Sequence, residues 1–567
     1  MLTHWGLTNF KSIYDADLPL APLTVLTGTN SSGKSSLIQS ILLVAQTLQN
    51  HLPERTLVLN GPLVELGSFE QIISYGGKNS DTMKIIIHLC PEDTKILAIN
   101  YEVEFIPPRK NKQTESFSPI IKKTEFIIFE ANDIDRIIGP FTFTAATNSS
   151  DKLVFINYSD SLIERIRSSL REMIKKDIFL PIITEKLLDA EYLKIFKDIS
   201  KEIKEIFDNS SMKEDNTEIR DFFTKKISNF VKELPRDFIS ELLMNDLFKD
   251  MKKFPLKLVP NHFIIDKFIV PFVRPKTDGT EFTKKDDCDA FLSVEPLSSA
   301  AKLLSDYFTK SFKYLGPLRF HGNLSPFSKA SDMKDVGISG EYAAAVYDLY
   351  KNEKIKYIPC QCFDNTESRE LKDFPPSEGV FSKALNEWMR YLGIASSIDV
   401  LPIDDGYKIQ IPHQYSENKV NLTHVGTGVS QVFPILVMGL LADENSTLVF
   451  EQEELHLHPA VQTRLADFFL SMAFLGKQCL VETHSEYFIT QLRYRIANAL
   501  LHNDKSIGEN TKIYFSEKKG RESHFREIKV TKYGGISEWP DGFFDERKKI
   551  DDKMFDAMGV EFEGDDD

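Results

Sequence analysis

Residues 28–36 read GTNSSGKSS, preceded by the apolar run LTVLT (23–27) and followed by SLIQSILLVAQTL (36–48). A β-rich run, a glycine-rich turn and then an apolar segment with helical spacing predict a strand entering a helix through a tight loop. The loop fits the pattern G-x-x-x-x-G-K-[ST], with Gly28, Gly33, Lys34 and Ser35 at its fixed positions. Gly28 and Gly33 let the backbone curl until successive N–H groups face one concavity, to which the helix start adds its positive dipole end. Asn30, Ser31, Ser32 and Ser36 complete the loop. The expected ligand is a nucleotide, ATP, with Lys34 reaching the β- and γ-phosphates and the Ser35 hydroxyl on Mg2+.

Two later segments complete such a site. In STLVFEQEELHLHP (446–459) a hydrophobic strand ends in acids, and the expectation is that Glu451 lies beside the phosphate loop and holds the Mg2+. In CLVETHSEYF (479–488) a second apolar strand ends in Glu482, Thr483 and His484, and His484 is placed to hydrogen-bond a γ-phosphate or the attacking water. Ahead of both, HVGTGVSQVFPILVMGLL (424–441) opens a helix at a glycine-rich loop. Gly426, Thr427, Gly428 and Ser430 form a second set of phosphate donors. One side of the nucleotide already belongs to the first loop, so this set is expected from a second subunit, giving a head-to-tail pair around two ATP molecules.

Length and composition bound the rest. The chain has 567 residues, enough for two to four folding units, and a net charge of −15 that argues against a surface basic throughout. Residues 541–567 hold eleven acids against four bases and read as a solvated acidic tail. Five scattered cysteines, of which only Cys360 and Cys362 are close, lack zinc spacing and point to reduced thiols. The apolar run VFPILVMGLLA from Val432 is too short for a bilayer, no signal peptide is recognisable, and the expected location is cytoplasmic, with no membrane partner. Between residues 161 and 260, stretches such as SLIERIRSSLREMIKK predict amphipathic helices.

The order of phosphate loop, GTGVSQ, EQEELHLHP and ETHSEY resembles the ABC-type ATPase heads of the SMC, RecF and overcoming-lysogenization-defect group. More narrowly, with YLGPLRF (314–320), TLVLNGPLVELGSFEQII (56–73) and GGISEWPDGFFDE (534–546), it resembles bacterial AAA-type ATPases that end in a small C-terminal domain of unknown function, DUF3696. The resemblance implies an α/β fold, a RecA-like mixed sheet with flanking helices, carrying a large helical insertion and a small C-terminal appendage. The expected divisions are 1–155 (phosphate-loop half of the head), 156–300 (mainly helical insertion), 301–510 (second half of the head) and 511–567 (C-terminal segment). It also implies an ATP-hydrolysing homodimer or higher oligomer that regulates a separately encoded effector, such as a nuclease, in antiviral defence.

Carried onto this sequence, Glu451 matches the Mg2+-side acid, His484 the switch histidine, Gly426, Thr427, Gly428, Ser430 and Gln431 the signature region, and His458 the interface loop. Gln71 is the candidate metal-contacting glutamine, and Arg319 a possible phosphate or acid partner. One departure stands out: Gln452 occupies the position of the usual catalytic glutamate, and glutamine orients water without accepting its proton. Glu453 and Glu454 follow, with Glu454 the better base. Two other classes fit less of the sequence. An OLD-like nuclease needs a metal-binding acid constellation after His484 that is not found. A DNA-repair ATPase would bind DNA through a basic strip at Lys252, Lys253 and Lys257.

Overall fold

Strands Leu23–Gly28 (β3), Thr447–Glu451 (β18) and Gln478–Glu482 (β19), numbered in chain order among the described residues, are buried on both faces, and near-continuous apolar runs of this kind form parallel strands covered on both sides. The computed structural model describes residues 1–50, 55–74, 82–92, 95–108, 118–130, 137–144, 154–155, 256–273, 287–292, 294–319, 334–364, 376–403, 406–412, 419–421 and 428–536, besides the single residues 168, 550 and 553. The chain divides into two units, Met1–Ile120 with Leu304–Asp567, and Ile121–Leu303.

In the first unit the central sheet runs β12 (Phe312–Leu315), β18, β19, β3, β20 (Thr511–Lys519), β21 (Glu522–Glu527). All its pairings are parallel except the terminal β20–β21 hairpin. Two results follow. Strand β19 lies between the phosphate-loop strand β3 and β18, so Glu451 stands one strand further from the loop than Glu482; Glu451, Glu482 and Leu26 share one register across the three strands. Residues 511–527, expected in a C-terminal appendage, are instead two strands of the head: Ile513 and Phe515 are buried, and Thr511–Ser516 pair with Leu23–Gly28. The backbone of β20 occupies the edge of β3 opposite β19, and Ile513, Tyr514 and Phe515 are buried on the two faces of the sheet.

Helices α1 (Lys34–Gln49), α4 (Gly428–Leu441), α5 (Pro459–Phe474) and α6 (Glu486–Leu501) pack around this sheet, α1 on β3, α4 on β18, and α5 on β19 and β3. Every residue of α4 from Val429 to Leu441 is buried, which is why its sequence is apolar all round. Among the described residues no helix is long and apolar enough to cross a membrane. Trp388 of α3 (Phe381–Tyr391) meets Phe468 of α5 edge-on at 5.2 Å, and the buried Arg495–Asp467 pair, 2.8 Å, joins α6 to α5.

A second, antiparallel sheet of the same unit runs β2 (Ile13–Pro19), β1 (Leu2–Phe10), β4 (Met83–Leu89), β5 (Ile96–Ile106). MKIIIHL in β4 alternates buried and half-buried residues, the pattern of a sheet with one covered face. Trp5 is fully buried and donates its Nε1–H to Ser40 Oγ of α1 at 2.9 Å, fixing this sheet to the phosphate-loop helix. Smaller antiparallel pairings join β13 (Lys354–Tyr357) to β14 (Ser377–Val380), and β15 (Asp399–Ile403) through β16 (Gly406–Pro412) to β17 (Lys419–Asn421).

The second unit contains the hairpin β6 (Ile120–Glu130)–β7 (Ile137–Thr144) and an antiparallel sheet β11 (Asp287–Leu292), β10 (Ile264–Val273), β9 (Leu256–Asn261), β8 (Val154–Phe155). The segment 156–300 was expected to be mainly helical; its described residues from 256 to 292 are strands, consistent with the β-branched and aromatic content of FIIDKFIVPFV. The amphipathic stretches between 161 and 254, with Lys252 and Lys253, lie outside the described residues apart from residue 168.

Candidate nucleotide site

The phosphate loop leaves β3 at Gly28 and enters α1 at Lys34. Both glycines are used for their backbone freedom. Gly28 has φ +140° and a Cβ there would lie 2.1 Å from Ser516 O of β20; Gly33 has φ +108° and a Cβ there would lie 2.3 Å from Ser523 Oγ of β21. The C-terminal hairpin therefore forms a wall of the loop. Ser516 Oγ donates to Ser32 O at 2.8 Å, and Ser523 N donates to Ser12 O at 2.8 Å. Asn30 and Ser31 are exposed at the tip, Ser31 at φ 60°, and Ser36 is half-buried behind it.

Lys34 is buried and folds over its own loop, donating from Nζ to Gly28 O at 3.0 Å and Thr29 O at 2.8 Å. Burial pushes its pKa down, against the pull of Glu482 and Glu454. The side-chain oxygens of Thr27 and Ser32 are buried in the loop with no partner among the described residues, which is the kind of polar vacancy that a phosphate or its bound water satisfies. Ser35 Oγ donates to Glu482 at 3.0 Å (Oε1) and 3.3 Å (Oε2). Oxygen ligands from a hydroxyl and carboxylates are what Mg2+ takes, so this donor set fits the ion expected with ATP.

Glu482 is 1% exposed and Glu451 8%. Burial is the first cause that raises the pKa values of both, and for Glu451 the charge of Glu482 is the second. Tyr314 OH donates to Glu451 Oε1 at 2.9 Å, and Arg319 Nη2 donates to Glu451 O at 3.2 Å. Burial lowers the Arg319 pKa to about 10, opposed chiefly by Glu453, and leaves the guanidinium charged beside the acids.

After Glu451 the chain turns sharply. Gln452 is half-buried at φ 48°, a strained conformation for a side chain of this size, and its N–H donates to Glu482 O at 2.9 Å. The two following acids go opposite ways. Glu453 points inward, 1% exposed, with neither carboxyl oxygen hydrogen-bonded among the described residues; burial, then Glu454, drives its pKa well up and keeps it protonated. Glu454 is half-buried and clamped to the end of β19, accepting from His484 N at 3.0 Å and Thr483 Oγ1 at 3.1 Å. The imidazole of His484 is kept neutral by burial and then by Lys34, which lowers its pKa. Lys34, Ser35, Glu451, Glu454, Glu482 and His484 thus converge at the C-terminal edge of the sheet, where α/β folds place ligands.

Other expected residues lie elsewhere. Gln71 does not serve a metal in this structure: its Oε1 accepts from Ser68 N at 2.8 Å, closing the capping box of α2 (Phe69–Ile72). His458 caps α5, its Nδ1 accepting from Ala460 N at 3.2 Å. Gly428 opens α4, Ser430 and Gln431 are buried, and Gly426 and Thr427 lie outside the described residues. Sequence reasoning left Glu482 and Tyr314 out of the site. The signal for Glu482 was present, since ETHSEY ends an apolar strand in an acid just as EQEEL does.

Residues 346–489 match the AAA ATPase domain family, and residues 508–551 match the family of proteins of unknown function DUF3696. Similar solved structures include an Smc head bound to the C-winged helix domain of ScpA (11% identity, 94% of this chain and 98% of that chain, TM-score 0.39). Others are a Pyrococcus furiosus Smc head with an extended coiled coil bound to the C-terminal domain of ScpA (11%, 98% and 99%, TM-score 0.35) and the Thermotoga maritima SMC head (9%, 93% and 99%, TM-score 0.34). No curated protein matches the chain. An AAA ATPase domain match across 346–489, a phosphate loop and strand-end acids on one sheet, and two strands from the DUF3696-matching region beside that loop together mark an ATPase-type nucleotide site.

Proposed function

We propose that this ATPase is a nucleotide-driven switch: two copies close around two ATP molecules, and the closed pair regulates a separately encoded effector in prokaryotic antiviral defence. The observation that carries the reading is the one-sidedness of the site. Phosphate loop, acids and histidine stand on one protomer's sheet edge, whereas the glycine-rich start of α4 belongs to a helix whose body is buried against β18 and whose opening residue, Gly428, is only half-buried. A second copy supplying its own Gly426–Ser430 segment completes the phosphate contacts.

Lys34 leaves the Gly28 and Thr29 carbonyls for the β- and γ-phosphates, exchanging two neutral acceptors for charged ones. Ser35 and the strand-end acids Glu482 and Glu451 are the groups that would hold or orient Mg2+, which when bound would neutralise charge on the phosphates. Glu454 is the general base for the attacking water, because Glu453 is buried and protonated and Gln452 accepts no proton. Neutral His484 hydrogen-bonds the γ-phosphate or that water. With the base two residues beyond its usual position and clamped to Thr483 and His484, turnover is slow relative to closure, which suits a switch more than a motor.

Light scattering of the purified chain tests the closure. With Mg2+ and a non-hydrolysable ATP analogue the mass doubles from the 64.9 kDa of one chain, and Lys34→Ala stays at one chain. A wild-type protein that saturates with analogue and keeps its mass overturns the switch. For the effector, the neighbouring reading frames are examined and the adjacent product is assayed with and without the ATPase; activity that ignores ATP and the Lys34→Ala substitution removes the regulatory role.

A further inference from the structure

We infer that Glu482, at the end of β19, holds the divalent cation directly together with Ser35, and that Glu451 stands behind it as the group that orients it. The inference rests on the nucleotide-site reading above and reassigns the role that the strand-end acid of β18 is expected to fill. Three observations carry it.

Strand order comes first. β19 lies next to β3, and β18 lies one strand further out, so with strands about 4.8 Å apart the backbone of Glu451 starts that much farther from the phosphate loop than that of Glu482 at the same register. The second is the contact to the metal-holding hydroxyl. Ser35 Oγ bonds Glu482, at 3.0 and 3.3 Å, and none of the hydrogen bonds among the described residues joins Ser35 to Glu451. Two neighbouring oxygens of an octahedral Mg2+ with bonds of 2.0–2.1 Å lie about 3 Å apart, so the Ser35–Glu482 pair already has the spacing of adjacent ligands. The third is what holds Glu451. One of its oxygens accepts from Tyr314 OH and its backbone carbonyl from Arg319, and it stands in register beside Glu482 on the neighbouring strand. A carboxyl group restrained by a phenol and lying next to the ligating carboxylate has the position of an outer-shell partner, and such partners set ligand orientation.

The division of labour has a chemical consequence. A direct ligand is needed for the cation to bind at all; an orienting carboxyl can be replaced by an amide at smaller cost, since an amide still bonds both Tyr314 and Glu482.

The test reads cation binding and not turnover. Free Mn2+ is followed by electron paramagnetic resonance in the presence of saturating ADP, for wild type, Glu482→Gln, Glu451→Gln and Tyr314→Phe, with circular dichroism melts as a check of folding. Glu482→Gln is expected to weaken Mn2+ by about 100-fold or more, and Glu451→Gln and Tyr314→Phe by about ten-fold or less. Equal losses for the two glutamates, or a larger loss for Glu451→Gln, overturn the assignment. Should Glu482→Gln not fold, Glu482→Asp decides: loss of at least about ten-fold supports the direct role, and wild-type affinity ends it. A wild-type protein that binds neither ADP nor Mn2+ with it refutes the nucleotide-site reading itself, an outcome separate from failure of the ordering.

Discussion

The phosphate-loop strand β3 has two neighbours that pair with it in the same parallel sense, and they do opposite work. Leu26 is in register with Glu482 of β19 on one side and with Tyr514 of β20 on the other. The β19 flank, backed by β18, ends in carboxylates and a histidine. The β20 flank, backed by β21, meets the loop with serines: Ser516 donates to Ser32 O, and Ser523 Oγ donates to Ser12 Oγ at 2.8 Å. One flank carries buried charge that costs stability and performs chemistry; the other carries neutral hydrogen bonds and close backbone packing that hold the loop's shape. The lesson is that parallel pairing sets where a residue stands, and the residue type at the strand end decides whether that place is reactive or structural.

The sharpest way to break the comparison is to remove the β20 flank. A chain ending at residue 510 loses β20 and β21 and leaves β3, a fully buried strand, as an edge. It is expected to lose its cooperative thermal transition, and a normal melt would show that the flank is dispensable. On the other flank, damage is expected in activity with the fold kept. Glu454→Gln lowers the turnover of ATP by about 10²–10⁴-fold while analogue binding persists, whereas Glu453→Gln changes turnover by less than about three-fold. Unchanged hydrolysis in the Glu454 variant takes that residue out of the mechanism.

A subtler outcome concerns pH. Burial and the neighbouring Glu482 raise the Glu451 pKa above its ordinary value of 4.5, so at and just above that pH the folded state binds more protons than the unfolded one. As far as this group is concerned, stability in a metal chelator is therefore fully present below pH 4.5 and is lost as pH rises through the raised folded-state pKa. Urea unfolding across that range measures it, and Glu451→Gln flattens the slope. A wild-type slope of opposite sign would contradict the buried carboxyl pair. Smallest of all, Ser516→Ala removes one hydrogen bond to the phosphate loop and is expected to cost about 1 kcal/mol in urea unfolding, with turnover nearly unchanged. A large fall in turnover there would mean that the supporting flank reaches into the chemistry.

Much of the site was legible before any coordinates. GTNSSGKSS names its own backbone demand through Gly28 and Gly33, and α1 follows from apolar spacing after it. The strands at 447–451 and 478–482 are short apolar runs ending in polar residues. The apolar run that starts at Val432 lies in α4, whose residues from Val429 to Leu441 are all buried, and that burial accounts for its composition. Other features were harder to read. Gln71 stands near a candidate motif, and Ser68 three residues earlier makes it the second half of a capping box, a local signal visible in the sequence. The strands between 256 and 292 follow charged amphipathic sequence, which hides their β-branched and aromatic runs.

What the sequence determined by itself is the chemistry available and the local geometry that presents it. Glycines permit the loop, apolar runs make buried strands, and acids, a lysine and a histidine terminate them, since these properties depend on residues a few positions apart. Only the tertiary structure decided which ends stand together. That β19 separates β18 from β3, placing Glu482 on Ser35 and Glu451 behind it, depends on pairing between strands hundreds of residues apart in the chain. The same is true of β20, whose partner in β3 lies at the opposite end of the sequence. Strand hydrogen bonds are made by the backbone and look alike for every residue, so the order of strands in a sheet is selected by how the whole set of buried side chains packs.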